Sequence, residues 1–254
     1  PEQDLVRTDV CQPAILTMSI AAFRVATDHG LRGDLAMGHS LGEFSALVAC
    51  GSIDFGDALR LVGERGAAMQ AAGEARPGTM AAILGLSDGE AETLCHEAGD
   101  VWPANYNCPG QVVASGSVEG IARLLGIASE RGIRATQLKV GGAFHSPLME
   151  PASARLSPAL EAWHPADPDP AFLSTTTAQV EPADRMRPVL LDQLTSPVRF
   201  GHAVETAVAM GADRFVELGP GRVLSGLVKR ISRDVVLHQV SGPDGLAGIT
   251  EVMA

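Results

Sequence analysis

The chain has 254 residues and a formal net charge of −11, and 46% of its residues are hydrophobic. This length and apolar content are enough for one medium-sized domain, or for one domain with a smaller insertion. The negative charge argues against nucleic acid and anionic membranes as partners, because both require a surplus of lysine and arginine on one face.

Four cysteines are present, none in a Cys-x-x-Cys pair and none accompanied by a His-x₃₋₅-His motif. This spacing predicts neither a metal site nor a disulfide framework, and free thiols are typical of a reducing cytoplasm. No apolar run approaches the ~18 residues of a membrane span, so no membrane segment is expected. The sequence therefore favours a cytoplasmic globular protein without a bound metal.

The first part of the chain is predicted to contain three helices and one short strand. These are a helix at 12–29 closed by Gly30, a strand at 35–37, and helices at 43–50 and 54–72. The strand runs straight into residues 38–42, whose sequence is Gly-His-Ser-Leu-Gly.

The middle of the chain changes to a strand-rich pattern. Strands are predicted at 80–86, 101–106, 111–115 and 135–140, with helices beginning at Ser87 and Ser117. The order βαββαβ is typical of a ferredoxin-like unit. Residues 79–141 are therefore predicted to form an inserted small subdomain, and residues 1–78 and 142–254 the large subdomain.

The last part alternates again between helices and strands. Helices are predicted at 147–163, 184–194 and 202–210, and strands at 172–176, 214–218 and 235–240. Such alternation implies a mostly parallel sheet covered on both faces. The predicted fold class is therefore α/β.

Residues 38–42 fit the nucleophile elbow, Gly-x-Ser-x-Gly, in which a serine sits on a tight turn between a strand and a helix. The flanking glycines are expected to avoid clashes at this turn. The following helix directs its N-terminal amides at Ser40, so the N–H of Leu41 is a candidate oxyanion donor.

Arg65 falls on the apolar stripe of its predicted helix, where a guanidinium is costly unless it meets an anion. An internal salt bridge is one explanation, although the adjacent Glu64 faces away. The alternative is a substrate carboxylate, which would accept two parallel hydrogen bonds.

A serine nucleophile requires a base, and His145 is the favoured candidate because glycines precede it and a predicted helix follows. His39 is predicted to support the elbow. The remaining histidines are interpreted as surface or core residues: His29, His96, His164, His202 and His238.

Taken together, these motifs resemble the malonyl-coenzyme A:acyl carrier protein transacylase family, which includes the acyltransferases of polyketide synthases. The matching stretches run in the family's order over nearly the whole chain: 38–46, 65–66, 107–111, 143–146, 193–194 and 217–221. The resemblance implies a hydrolase-like large subdomain with the ferredoxin-like insertion.

By this resemblance Ser40 carries the acyl ester, His145 is the base and Arg65 binds the malonyl carboxylate. A main-chain carbonyl at Gln193 would orient His145, giving a Ser-His dyad without an acidic third member. The bulky ring of Phe144 would limit room beside the α-carbon and favour malonyl over methylmalonyl. No bound cofactor is implied; malonyl-coenzyme A is the expected thioester substrate.

Two departures from the family's pattern are present. The family's opening strand and Gly-Gln-Gly-Ser-Gln loop, which supplies a second oxyanion donor, are absent from the printed sequence, and we expect them to exist outside it. Residues 175–177 are all threonine, where many relatives carry an asparagine.

The expected partner is an acyl carrier protein in polyketide or fatty-acid biosynthesis. Because carrier proteins are typically acidic, docking is predicted beside one basic cluster: Arg222, Lys229, Arg230 and Arg233. Two rival functions remain open, namely a serine hydrolase acting on carrier-bound acyl groups and a catalytically silent carrier-docking module.

Overall fold

The computed structural model describes residues 7–253, which form an α/β fold. The helices are α1 Thr8–Asp28, α2 Gly42–Ala49, α3 Phe55–Ala75, α4 Asp88–Ala98, α5 Val118–Glu130, α6 Glu150–Ala162, α7 Ala183–Asp192, α8 Phe200–Ala209, α9 Val223–Ile231 and α10 Ile249–Met253. The strands are β1 Leu35–Met37, β2 Gly78–Leu84, β3 Val101–Cys108, β4 Gln111–Ser117, β5 Arg134–Gln137, β6 Ala171–Ser174, β7 Gln179–Val180, β8 Arg214–Leu218 and β9 Val236–Val240.

Four antiparallel strands form one sheet in the order β3-β4-β2-β5. Helices α4 and α5 pack on it around a core that includes Leu94, Ile121 and Leu124. The observed order βαββαβ is the one expected for a ferredoxin-like unit. The division of the whole chain at residues 79 and 141 stays a prediction.

The remaining strands form two smaller sheets. β1 pairs in parallel with β6, which pairs antiparallel with β7, and β8 pairs in parallel with β9. Within residues 7–253, β1 and β8 do not pair with each other. A cleft of about 1310 Å³ lies between them, lined by Met37, Phe215 and apolar residues of α1 such as Ile20, and it reaches the elbow at Gly38.

The main core lies between the long helices α1 and α3 and the helices α2 and α6. α1 begins four residues earlier than expected because its first turn packs on α3, where the hydroxyl of Thr8 donates to the carbonyl of Gly66 at 2.9 Å. A Cβ at position 66 would lie 2.7 Å from the carbonyl oxygen of Thr8, so only glycine permits this crossing.

α1 corrects the expectation that no segment reaches the length of a membrane span. Among residues 7–253, α1 is the one helix that is long and apolar enough to cross a membrane, with a mean hydropathy of 1.3. It also packs against α3 and buries Leu16 and Ile20. A core helix of a globular protein satisfies the same criteria when it is mostly buried, whereas 22% of the apolar window of α1 is buried.

Residues 193–199 connect several parts of the fold between α7 and α8. Val198 pairs with the strand β3, accepting from the amide of Tyr106 at 2.8 Å and donating to Ala104 at 2.8 Å. The amide of Arg199 donates to the carbonyl of Thr175 at 2.6 Å. This segment therefore ties the four-stranded sheet to the end of β6.

Candidate active site

Ser40 lies on the turn between β1 and α2, with a backbone φ of 53°. This left-handed conformation is strained for a residue with a side chain, and such strain is typical of functional sites. The amides of Gly42, Glu43 and Phe44 each donate to the carbonyl three residues earlier. The turn therefore has the geometry of a nucleophile elbow.

The two flanking glycines have different roles. A Cβ on Gly38 would lie 2.0 Å from the carbonyl carbon of Gly42 and 2.6 Å from the amide nitrogen of Glu43, so no side chain fits there. A Cβ on Gly42 would meet nothing within 4 Å. The expectation that both glycines relieve clashes is therefore correct for Gly38 and wrong for Gly42.

The backbone amide of Leu41 directly follows the nucleophile. Within residues 7–253 it has no hydrogen-bond acceptor, whereas the next three amides are used in the turn. Leu41 itself is 8% exposed and packs in the main core. The amide is therefore free to donate to a substrate oxygen.

His145 meets Ser40 from a different segment, just before the 3₁₀ turn Pro147–Met149. Its Nε2 lies 2.8 Å from the Ser40 Oγ, and its Nδ1 lies 2.8 Å from the carbonyl oxygen of Gln193. Since a carbonyl only accepts, Nδ1 carries the proton and Nε2 is left to accept from the serine. His145 also has a positive φ, 57°.

The imidazole of His145 is 5% exposed. Burial, reinforced by the positive charge of Arg65, lowers its pKa from 6.5 to about 3. The ring is therefore neutral at physiological pH, as a general base must be.

Arg65 lies on α3 and is 1% exposed. Its Nη1 donates to the Gln12 side chain at 2.5 Å, and its Nη2 donates to the Ser40 Oγ at 3.0 Å and to the Gln193 Oε1 at 2.8 Å. Within residues 7–253 it forms no ion pair, and its Nε has no partner. The internal salt bridge considered from the sequence is therefore not formed.

Phe144 is partly buried and contacts two hydrophobic clusters, the main core and the cluster that contains Met80 and Val113. Its ring lies 3.0 Å from the position of a Cβ on Gly142. Its effect on the choice of acyl group stays a prediction.

His39 lies next to the nucleophile and contacts the four-stranded sheet. Its Nε2 lies 2.9 Å from the Oδ1 of Asn107, and its ring packs against Phe200 with centroids 5.5 Å apart. Burial lowers its pKa. The contacts tie the elbow to β3, consistent with the supporting role predicted for this residue.

Other predicted features lie away from the dyad. The four basic residues lie on α9 or at its flanks, and all are exposed.

The cysteines are free thiols, as expected. Within residues 7–253 no group of three or more His, Cys, Asp or Glu residues is arranged to hold a metal ion.

Sequence reasoning missed three polar residues that surround the site. Gln12 contacts Arg65, and Glu43 and Thr175 contact each other beneath the elbow. Gln12 was placed at the predicted start of a helix, and the threonine run was noted only as a departure from the family. No local pattern shows that these side chains meet.

A hydroxyl next to a neutral imidazole, on an elbow with a free amide, is an arrangement found in enzymes that carry an acyl group on serine. On this α/β fold it places the chain in that class. The chain belongs to the acyl transferase family, whose domain model matches residues 1–241.

Individual relatives agree with this membership and confirm both the predicted fold class and the resemblance. The chain is 43% identical over 250 residues to the malonyl CoA-acyl carrier protein transacylase of Bacillus subtilis strain 168, covering 95% of this chain and 78% of the relative. The crystal structure of malonyl-CoA:acyl carrier protein transacylase from Xanthomonas oryzae pv. oryzae superposes with a TM-score of 0.95 at 38% identity, covering 99% and 82% of the two chains.

A third similar structure contains a carrier protein. It is a malonyl-transacylase in complex with a type II PKS acyl-carrier protein, with a TM-score of 0.94, 38% identity, and coverage of 99% of this chain and 83% of the other.

Proposed function

We propose that the chain transfers a malonyl group from coenzyme A, through an ester on Ser40, to the phosphopantetheine thiol of an acyl carrier protein. The observation that carries this proposal is Arg65. It is a buried guanidinium that donates to the nucleophile and meets only neutral partners within 4 Å, so it offers an unpaired positive charge to the acyl group. The relatives named above, which share this family and fold, support the choice of malonyl.

In the first half-reaction the Ser40 Oγ attacks the thioester carbon while His145 Nε2 accepts the hydroxyl proton. The Leu41 amide donates to the oxygen that becomes negative. The C–S bond then breaks, and the protonated imidazole returns its proton to the coenzyme A thiolate. Ser40 is left as the malonyl ester.

In the second half-reaction His145 accepts the proton of the carrier thiol, and the thiolate attacks the ester carbonyl. The C–O bond breaks and Ser40 regains its proton from the imidazole. Arg65 holds the acyl carboxylate through both steps, which keeps the ester carbonyl aligned with the attacking sulfur. No bound cofactor takes part in this scheme, and the chain acts in the cytoplasm.

The direct test is intact-protein mass spectrometry of the full-length protein after incubation with malonyl-coenzyme A. We expect a gain of one malonyl unit on Ser40 that is lost when holo carrier protein is added, and no gain in Ser40→Ala. An unmodified wild-type protein would favour a silent docking module. Loss of the acyl group to water without a carrier would favour a hydrolase.

The low pKa of His145 makes a second test possible. Because its imidazole stays neutral until the pH approaches 3, the rate of Ser40 acylation is expected to be flat from pH 8 to about 5. The lowered pKa of His145 also decreases the free energy of unfolding as the pH falls from 6.5 towards 3. In this range the imidazole binds a proton in the unfolded chain but not in the folded one. A pH–rate profile with a midpoint near 6.5 would contradict this assignment.

We place carrier docking on α9 and its flanks. Arg222, Lys229 and Arg233 are exposed, and Val223 among them is 71% exposed. An apolar side chain within a cationic rim suits an acidic helical partner. Arg230 is already engaged, since it donates to Gln111 at 2.5 Å.

Reversing two of these charges, in Lys229→Glu with Arg233→Glu, is expected to raise the KM for carrier protein about tenfold at low salt. The KM for malonyl-coenzyme A should stay unchanged. Arg155→Glu, an exposed site on α6, is the matched control. An unchanged carrier KM in the double variant would exclude this surface.

A further inference from the structure

Glu43 is a buried carboxylate that the proposed reaction does not use. It lies in the first turn of α2, three residues after the nucleophile, and is 0% exposed. Within residues 7–253 no cation lies within 4 Å of it. A buried charge without a cation in contact is costly, so its neighbours require an explanation.

Four donors converge on this carboxylate. Its Oε1 accepts from the Ser174 Oγ at 2.8 Å and from the Thr175 amide at 2.5 Å. The Thr175 Oγ1 lies 3.0 Å from the same oxygen and shares its one proton with the Gly38 carbonyl oxygen at 2.8 Å. Its Oε2 accepts from the Gln193 Nε2 at 2.6 Å. Burial raises the pKa of this carboxyl, and the hydrogen bonds from these donors oppose part of that rise.

The Gln193 side chain joins this carboxylate to the substrate-binding guanidinium. Its Nε2 donates to Glu43 and also to the Ser40 carbonyl at 3.1 Å, and its Oε1 accepts from Arg65 at 2.8 Å. A carboxylate can only accept and a guanidinium can only donate, so the amide has one allowed orientation. The contact of Nε2 with Glu43 and the contact of Oε1 with Arg65 therefore require the same orientation of the Gln193 amide.

We propose that Glu43 is a positioning residue, which acts through the Gln193 amide to hold Arg65 over Ser40 and so makes the site selective for acyl groups that bear a carboxylate. This inference rests on the proposed function. A carboxylate in direct contact with Arg65 would compete with the substrate for the guanidinium. With the Gln193 amide between them, Glu43 places a negative charge near the guanidinium without contacting it, and the amide aligns Arg65 while leaving it available to the substrate.

The three threonines at residues 175–177, which depart from the family's pattern, contribute to this network through Thr175. The Thr175 hydroxyl lies 2.8 Å from the Gly38 carbonyl oxygen and 3.0 Å from Glu43, and its amide donates to the same carboxylate. Thr175 therefore anchors Glu43 to the end of β6 and to the start of the elbow.

The test is Glu43→Gln, with Glu64→Gln as the matched control because Glu64 is exposed on α3 beside Arg65. The new amide must place an NH₂ group against either Gln193 or Thr175, which are both donors. We expect kcat/KM for malonyl loading to fall about ten- to hundredfold, mainly through KM. Acetyl loading, which needs no guanidinium, should stay within about threefold, and the control should match the wild type.

A second variant separates positioning from a general structural role. Gln193→Leu keeps the main-chain carbonyl that orients His145 but removes the amide bridge. It should lose malonyl preference to a similar extent, and the double variant with Glu43→Gln should add little to either single change. If Glu43→Gln fails to fold, Gln193→Leu still tests whether the amide bridge is needed for the malonyl preference.

Equal losses for malonyl and acetyl in Glu43→Gln, unchanged malonyl preference in Gln193→Leu, or additive effects in the pair would each overturn the proposal. Wild-type protein that loads no malonyl, or Arg65→Ala that keeps its malonyl preference, would instead refute the proposed function. The two failures are therefore distinguishable.

Discussion

In Arg65→Ala, malonyl loading of Ser40 will fall by about thirty- to several-thousandfold, while acetyl loading will be retained. Removing one partner of a buried hydrogen-bonded charge pair costs about 2–5 kcal/mol, which gives this range. Acetyl has no carboxylate and gains nothing from the guanidinium. The measurement is intact-mass or radiolabel loading with malonyl- and acetyl-coenzyme A at matched concentrations.

Arg65→Lys is the control for this experiment. Lysine keeps the positive charge but lacks the planar fork that binds both carboxylate oxygens, so an intermediate loss is expected. Equal losses for both acyl groups in Arg65→Ala would show that Arg65 supports the structure of the elbow, where it also donates to Ser40, and that it does not select the acyl group.

Gly38→Ala will prevent stable folding of the elbow. The added Cβ would lie 2.0 Å and 2.1 Å from the carbonyl carbon and oxygen of Gly42, and these are backbone atoms that cannot rotate away. We expect a loss of at least about 3 kcal/mol in the free energy of unfolding. Urea unfolding measures this loss of free energy. Any protein that still folds should fail to be acylated on Ser40.

Gly42→Ala is the matched comparison, since its Cβ would meet nothing within 4 Å at the start of α2. Its free energy of unfolding should stay within about 1 kcal/mol of the wild type, because alanine favours helix more than glycine does. Similar losses at both positions would show that the close approach of Gly38 to the Gly42 carbonyl does not limit the side chain at position 38.

Much of the site could be predicted from the sequence, because the chemistry of each residue limits its role. A serine on a Gly-x-Ser-x-Gly turn and an arginine on an apolar helix face are local signals. They predicted Ser40 and Arg65, and the structure brings them within 3.0 Å. The position of His145 next to Ser40 required the family resemblance as well as the search for a base.

Glu43 could not be assigned from the sequence, because an acidic residue in the first turn of a helix is ordinarily explained by the helix dipole. Its burial arises from contacts with residues more than 100 positions away, such as Ser174 and Gln193. Gln12 was missed for a related reason, since the helix was predicted to begin there instead of at Thr8.

Several elements of the fold were also missed. The helix α9 follows a glycine-rich stretch and contains Gly226, which lowers helix propensity, yet it buries Leu227 and Val228 against α8 and β3. The strand β7 has only two residues, too few to show an alternating pattern. Tertiary packing decided both elements.

The link formed by residues 193–199 bears on how rigidly the base is held against the nucleophile. One end of this link supplies the carbonyl that holds the His145 ring, and the other pairs with β3 and with the end of β6. Moving the four-stranded sheet away from the end of β6 would break these pairs and displace the carbonyl that orients His145. We therefore expect the four-stranded sheet and the elbow to keep their relative positions when Ser40 is acylated.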